Sequence, residues 1–514
     1  MERRRRLTSL LILTSLSCLG PILLLSSSPH GVHATNDSFV YLGAAATLAE
    51  GEGWTYPFGD PGTAVTLFPP LPSAILAIPA GLDLDPLAWT LWQNALAFGV
   101  LLLLVGWTVL RTSGGSWAAT VVAMALTALG VPILFAETHV WSEPLFYLFE
   151  VAALAAIGLH LENRDRWTVV AFAVTTSLAL LTRYAAVSLL VTGILLIVGW
   201  PRRGIAARLR TVALCLSVAL PLSVAWSVRS LAQSGTITGR SEVVDDLSAS
   251  DVGQGGLRIA SWFLREPLTG PSWLGLLAIA SIAAVAIAAA ATTRGRGWAT
   301  GFRMHPAAAA FLLFALLHPL FVIGASLLTD RSPPLNHRTL GPMFVAIVVS
   351  SVLLGHRAWN GWAGKRFRWL IPLTAVLLLG LAVIDTTRYV PRELGAYAKS
   401  RDEYGAWASS LRGTVRAGDI VLSNGANIAW FLLDRPVQSL PLSCVGSSER
   451  PDPAYPDRLR VLGRDLGRLP RTVVVIRRAR TCDPFTIRGI VRTLSVSPTV
   501  GATGILVLAG PTPR

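Results

Sequence analysis

Residues 87–110 read LAWTLWQNALAFGVLLLLVGWTVL, a run without one charged side chain that closes on Arg111. As a helix it rises about 36 Å, enough to cross the roughly 30 Å hydrocarbon core of a bilayer. It is too long and too evenly apolar for the striped helix of a soluble core. Runs of the same kind recur on both sides, at 7–26, 117–135, 141–160, 167–182, 184–200, 211–228, 272–292, 306–328, 340–355 and 369–386. The count is about eleven spans. Residues 64–80 (AVTLFPPLPSAILAIPA) are apolar too, but their Pro-rich half predicts a short interfacial or re-entrant segment. The composition of the whole chain agrees. Of 514 residues, 52% are hydrophobic and 14% charged, against roughly 25% charged in soluble chains. An ordinary soluble enzyme is excluded. The net charge of +15 does not point to nucleic acid either, because the basic residues punctuate apolar segments and the bilayer accounts for them.

The distribution of Arg orients the spans. With the N-terminus in the cytoplasm, the inner loops collect Arg3–Arg6, Arg111, Arg164, Arg166, Arg202, Arg203, Arg208, Arg210, Arg294, Arg296, Arg303, Arg357, Lys365, Arg366 and Arg368. The outer connections hold Arg183, Arg229, Arg240, Arg258, Arg265, Arg331 and Arg338, and Ser26–Leu84 has no Lys or Arg at all. This is the positive-inside pattern. An odd number of spans leaves the tail outside, so the localisation expected is an inner or plasma membrane crossed many times. Arg3–Arg6 followed by an apolar run and Val32-His33-Ala34 imitates a cleavable signal. The run from Leu7 to Ser28 is nonetheless long enough to span, and the reading adopted is an uncleaved first helix.

The chain thus divides into a transmembrane part, 1–386, with a first outer loop at 27–86, and a small extracytoplasmic α/β domain, 387–514. The tail alternates helix (Glu393–Leu411), strand (Asp419–Ser423), helix (Ala426–Leu433), helix (Asp457–Leu466), strand (Thr472–Ile476) and strand (Ile505–Ala509). Cys18 and Cys215 fall in spans, as small apolar fillers. Cys444 and Cys482 share the outer domain, where oxidising conditions permit a disulfide.

Polar residues at the outer ends of spans are the candidates for chemistry. The first outer loop reads Asn36-Asp37-Ser38-Phe39-Val40-Tyr41, then an Ala-rich stretch, Glu50-Gly51-Glu52-Gly53-Trp54 and Phe68-Pro69-Pro70-Leu71-Pro72. This ordered set resembles the first periplasmic loop of GT-C superfamily glycosyltransferases, whose branches include protein O-mannosyltransferases and lipid A aminoarabinose transferases. The resemblance implies the polytopic GT-C fold and a donor that is a polyprenyl-phosphate-linked sugar. It also implies that Asp37 is the catalytic Asp, with Tyr41 beside the substrate. Chemistry supports Asp37 independently. Attack on an anomeric carbon by a hydroxyl needs a base for the hydroxyl proton. The leaving lipid phosphate is already a stable anion, so one carboxylate suffices, unlike the acid and base pair of an inverting glycosidase. The competing role is that Asp37 is merely the N-cap of the next helix.

The second outer loop, Ala136-Glu137-Thr138-His139-Val140-Trp141-Ser142-Glu143-Pro144, carries Glu137, His139 and Glu143. Ser142-Glu143-Pro144 resembles the Ser-Glu-Pro opening the fourth helix of relatives, and ordinary helix initiation explains part of it. These three groups could bind acceptor hydroxyls or hold a divalent cation, or be solvated loop charges. Positive charge for a phosphate comes from Arg183-Tyr184, between the fifth and sixth spans, and His337-Arg338, opening the tenth. Both arginines resemble family positions, and a planar guanidinium suits phosphate oxygens. Snorkelling at the membrane edge is the alternative. The outer loop near 230–271, with Asp245-Asp246 and Gly253-Gln254-Gly255-Gly256, reads as flexible, and Trp141, Trp262 and Trp273 read as interface anchors.

The function expected is an inverting transfer of one sugar from a polyprenyl phosphate to an extracytoplasmic glycan, lipid or protein, with no nucleic acid involved. Two other classes compete. A polymerase or ligase concentrates basic residues in one large mid-chain outer loop, whereas here the largest outer domain is terminal. A transporter or flippase carries charges near span midpoints, whereas here they gather at the outer rim.

Overall fold

The computed structural model describes residues 2–199, 204–239, 248–264, 271, 273, 305–328, 335–361, 369–441, 453–466, 472–476, 499–500 and 506–509. The fold is that of a helical membrane protein, and it forms two compact units. The first comprises Met1–Val32, Thr66–Leu71 and Leu87–Arg392; the second comprises His33–Val65, Pro72–Pro86 and Glu393–Arg514.

In the first unit the apolar runs become helices: α1 (Glu2–Ser17), α2 (Leu19–Ser27), α5 (Pro86–Thr112), α6 (Trp117–Ala128), α7 (Val131–Glu137), α8 (Glu143–Asn163), α9 (Arg166–Thr182), α10 (Val187–Gly199), α11 (Ile205–Ala219), α12 (Pro221–Ser234), α13 (Ala249–Leu264), α14 (Pro306–Leu328) and α15 (His337–Gly361), with α16 (Leu370–Thr414) beginning here. Six described helices are long and apolar enough to cross a bilayer, or eight if α6/α7 and α11/α12 each count as one bent span. The bends of 54° and 53° follow from residues that interrupt a helix: Gly130 and Pro132 at the first, Pro221 at the second. Arg166–Thr182 and Tyr184–Gly199 are shorter apolar helices. The expected span at 272–292 and the pair Cys444 and Cys482 lie outside the described residues.

Helix α8 is the centre of the core. Phe146, Tyr147, Val151, Leu154 and Ile157 on it are fully buried against α9, α14 and α15. Small residues set those approaches. A Cβ on Gly158 would meet Ala307 of α14 at 2.8 Å, and one on Gly193 would overlap the Phe172 ring. The Gly-rich stretch at 253–256, expected to be a loop, is instead part of α13. The reason is again close packing. Gly253, Gly255 and Gly256 are buried, and a Cβ on Gly255 would sit 3.0 Å from Leu335.

The second unit is built on a mixed sheet in the order β1-β3-β2-β4-β6-β5. Its strands are β1 (Phe58–Gly59), β2 (Ile420–Ser423), β3 (Val437–Ser439), β4 (Thr472–Ile476), β5 (Thr499–Val500) and β6 (Leu506–Ala509). The strands β1, β3, β2 and β4 run parallel, while β6 is antiparallel to β4 and β5. The edge strand β1 comes from the segment 27–86 that follows the first apolar run, pairing Phe58 with Val437. That segment therefore shares a core with the tail. Helix α3 (Asn36–Ala49) packs on α17 (Ala426–Leu433), with Phe39 against Phe431 at 5.0 Å between ring centroids. The second unit also holds the short helix α4 (Leu71–Gly81) and α18 (Tyr455–Leu466). Helix α16 runs unbroken from Leu370 to Thr414 with Pro391 inside it, where a span and a separate helix were expected.

Candidate functional site

The N-terminus of α8 gathers the expected arginines. Glu143 opens the helix with Pro144 behind it, where Pro costs no hydrogen bond. Its carboxylate is fully buried, and one oxygen accepts a hydrogen bond from Arg338 Nε and forms an ion pair with Arg183 Nη1. Arg183 also donates from the same nitrogen to the Ser142 hydroxyl at 3.0 Å. The two guanidinium side chains remain 17% and 18% exposed, so the cluster shows its cationic side and hides its anion.

Three local devices position these groups. Arg183 sits in extended conformation between the end of α9 and a single 3-10 turn, Tyr184–Ala186, which projects it out of the helical stack. Arg338 is held by the start of α15, where the Asn336 side chain accepts from the backbone N–H groups of Arg338 and Thr339 at 3.0 and 3.1 Å. The next residue, Thr339, offers its carbonyl to Nε2 of the buried His318 at 3.0 Å, and His318 Nδ1 meets the Ser188 hydroxyl at 3.0 Å. Finally, Asn94 of α5 donates to the carbonyls of Glu137 and His139 at 2.8 and 3.0 Å, fixing the α7–α8 turn.

Around the cluster lies an aromatic wall. Arg338 lies over the Trp141 ring at 4.4 Å, and Trp141 stacks on His139 at 4.0 Å. Trp262 donates to His337 Nδ1 at 2.8 Å. Both Trp141 and Trp262 are buried, not interface anchors as the sequence suggested, because each is committed to a polar partner inside the protein. Phe263, beside Trp262, stacks on Phe344 at 5.5 Å and lines an apolar cavity of about 910 Å³ between α6, α15 and α16.

Not every candidate joins the cluster. Glu137 is fully buried, and neither of its oxygens has a hydrogen-bond partner among the described residues. His139 Nδ1 lies 2.7 Å from the Phe135 carbonyl. With Glu143 held by two arginines, the trio expected as a possible cation site does not converge, and no group of three or more His, Cys, Asp or Glu among the described residues could hold a metal. Tyr184 does other work: its hydroxyl donates to the Thr66 carbonyl and accepts from Trp226, both at 3.2 Å.

Asp37 and Tyr41 belong to α3, in the second unit. Thr35, not Asp37, is the N-cap of that helix, and it forms a capping box with Ser38 in which the Thr35 N–H donates to the Ser38 hydroxyl at 2.8 Å. Asp37 is half-buried in the first turn, and Tyr41 is buried one turn on. Nearby, burial pushes the His33 imidazole down to about 4, with the Tyr397 ring edge-on at 4.3 Å.

Two further polar residues escape a reading confined to span ends. Tyr147 and Glu150 continue the Glu143 face of α8 inward and are fully buried, and among the described residues neither the Tyr147 hydroxyl nor either Glu150 oxygen has a hydrogen-bond partner. Tyr147 lies within electrostatic reach of Glu143, Arg183, Glu150 and Glu137. A carboxylic acid in the middle of LFYLFEVAALAAIGL is the signal the sequence offers for them.

No family profile and no curated protein matches the chain. Among solved structures, ArnT from Cupriavidus metallidurans in the apo state is similar with a TM-score of 0.61 and 14% identity, over 95% of this chain and 96% of that one. The same protein bound to undecaprenyl phosphate gives a TM-score of 0.53 and 16% identity over 97% of both chains. Arabinosyltransferase EmbB from Mycobacterium smegmatis gives 0.35 and 14% over 75% of this chain and 41% of that one. The chain therefore shares its fold with ArnT over 95% of its length.

Proposed function

We propose that this chain is a membrane glycosyltransferase that moves one sugar, a hexose or a pentose, from a polyprenyl phosphate to an acceptor outside the cytoplasm. The observation that carries the reading is the pair of partly exposed guanidinium groups, Arg183 and Arg338, gathered on one buried carboxylate. Such a pair suits the phosphate of the donor, and the apolar cavity behind Phe263 suits a prenyl chain. The structure of ArnT bound to undecaprenyl phosphate supports the choice of lipid. In the proposed reaction the acceptor hydroxyl oxygen attacks the anomeric carbon and the carbon–oxygen bond to phosphate breaks. The hydroxyl proton passes to Asp37 and the lipid phosphate leaves with the electron pair. One displacement inverts the anomeric centre. About eleven spans, a cytoplasmic N-terminus and an outer tail complete the reading. No divalent cation is assigned to it.

A transporter is favoured by one feature, the buried Glu150 within a span. Radiolabelled polyprenyl-phosphate sugars, offered to the purified protein with a lipid extract, decide between the two. Transfer of label to an acceptor is expected, and movement of intact donor without transfer would overturn the proposal. Asp37→Asn keeps the side-chain shape and leaves the Thr35 cap intact. It is expected to lower turnover about 10²-fold or more with donor binding retained; a variant at the parent rate would remove Asp37 from the mechanism. Arg338→Gln is expected to weaken donor binding itself.

A further inference from the structure

We infer that Glu143 sets the charge count of the arginine cluster, so that the site accepts a singly charged phosphodiester and disfavours a phosphate monoester or a diphosphate. This rests on the reading of Arg183 and Arg338 as the phosphate site. Two guanidinium groups alone would be a good receptor for a dianion. Here one oxygen of Glu143 forms an ion pair with each, and leaves the three paired groups with a net charge of +1.

That carboxylate is built in, not a passing counter-ion. It is 0% exposed, on the first residue of a helix whose next residue is Pro144, and the Ser142 hydroxyl covers its second oxygen at 3.4 Å. An incoming phosphate therefore adds to the cluster on the side where the guanidinium groups are 17% and 18% exposed, and does not replace Glu143. Arg183 has the means to receive it, since its bonds to Ser142 and Glu143 both come from Nη1. A sugar-bearing phosphodiester carries one negative charge and brings the four groups to zero. The monoester that remains after transfer carries about −1.5 to −2 near neutrality, which exceeds the charge the cluster can neutralise. The same carboxylate that orients the arginines thus also favours departure of the product. A lipid diphosphate is excluded on the same count.

The test uses the full chain in detergent at pH 8, with geranylgeranyl phosphate, its methyl phosphodiester and geranylgeranyl diphosphate as probes in a direct binding measurement. The parent is expected to prefer the methyl diester to either dianion-bearing probe. Glu143→Gln should shift that ratio about tenfold or more toward the doubly charged probes, the size expected of one charge a few ångströms away in a partly wet site. Glu143→Asp should keep the parent preference. Arg183→Gln, which removes one positive charge, should push the ratio the opposite way and tests the charge count even if the Gln variant at 143 does not fold. A parent that prefers the monoester or diphosphate overturns the inference, as does a folded Glu143→Gln protein with an unchanged ratio. If none of the three probes binds, or Arg338→Gln binds all three as the parent does, it is the phosphate site itself that fails.

Discussion

Gly341 carries a constraint that its neighbours explain. A Cβ there would overlap the Tyr147 hydroxyl oxygen, and it would lie 3.3 Å from the carbon that bears it. The clash is therefore with one oxygen atom. Gly341→Ala is expected to cost about 1–3 kcal/mol, read as a lower thermal midpoint in detergent. Tyr147→Phe in the same chain should restore most of it, and a double variant no better than the single one would show that the crowding lies elsewhere. At this scale the sequence is unevenly legible. Glu143, Arg183 and Arg338, which meet in the structure, all read as charges placed where spans end. Their partnership does not, because ion pairing between positions 143 and 338 depends on how α8 and α15 pack. Removing one partner of such a buried group costs about 3–5 kcal/mol, which gives the cluster a structural role of its own. Tyr147 and Glu150 lie away from span ends, yet a lone acid inside an apolar run carries the same kind of signal.

At the scale of elements, the turn joining α7 to α8 depends on a third helix. Asn94 is fully buried on α5 and supplies both side-chain N–H bonds to the carbonyls of Glu137 and His139. Asn94→Leu would leave two carbonyls without those donors. The expected loss is about 1–2 kcal/mol, since such bonds inside membrane proteins average below 1 kcal/mol each and an abandoned acceptor adds to that. Weaker phosphate binding should accompany it, and an unchanged midpoint would mean the turn is held by other contacts. The long apolar runs foretell helices well: 87–110 corresponds to Pro86–Thr112, and 306–328 to α14. Short elements in the tail are legible too, with Ala426–Leu433 matching α17 at both ends. The missed strands share one cause. The two-residue strands β1 and β5 and the three-residue strand β3 have too few residues to show an alternation, and only their neighbours in the sheet define them. The bend between α6 and α7 is hidden because hydrophobicity continues through Gly130 and Val131.

For the whole molecule, the prediction that matters most is sidedness. The Arg-rich connections at 202–210 and 294–303, and the bare stretch from Ser26 to Leu84, predict a cytoplasmic N-terminus. A phosphatase fused after Arg514 is expected to be active and a cytosolic reporter at the same site silent. The reverse would place the tail and the Asp37 loop inside, and no outer acceptor could then be served. The sheet adds weight to treating these two together, since β1 of the first outer loop pairs with β3 of the tail and both belong to one compact unit. The Thr35 and Ser38 box that starts α3 leaves position 37 without a folding duty as a cap. On the proposed reading of Asp37 as the base, a lineage that abandoned sugar transfer should drift at 37 while 35 and 38 stay Ser or Thr. A set of natural sequences showing that split would mark which descendants retired from chemistry before any of them is purified.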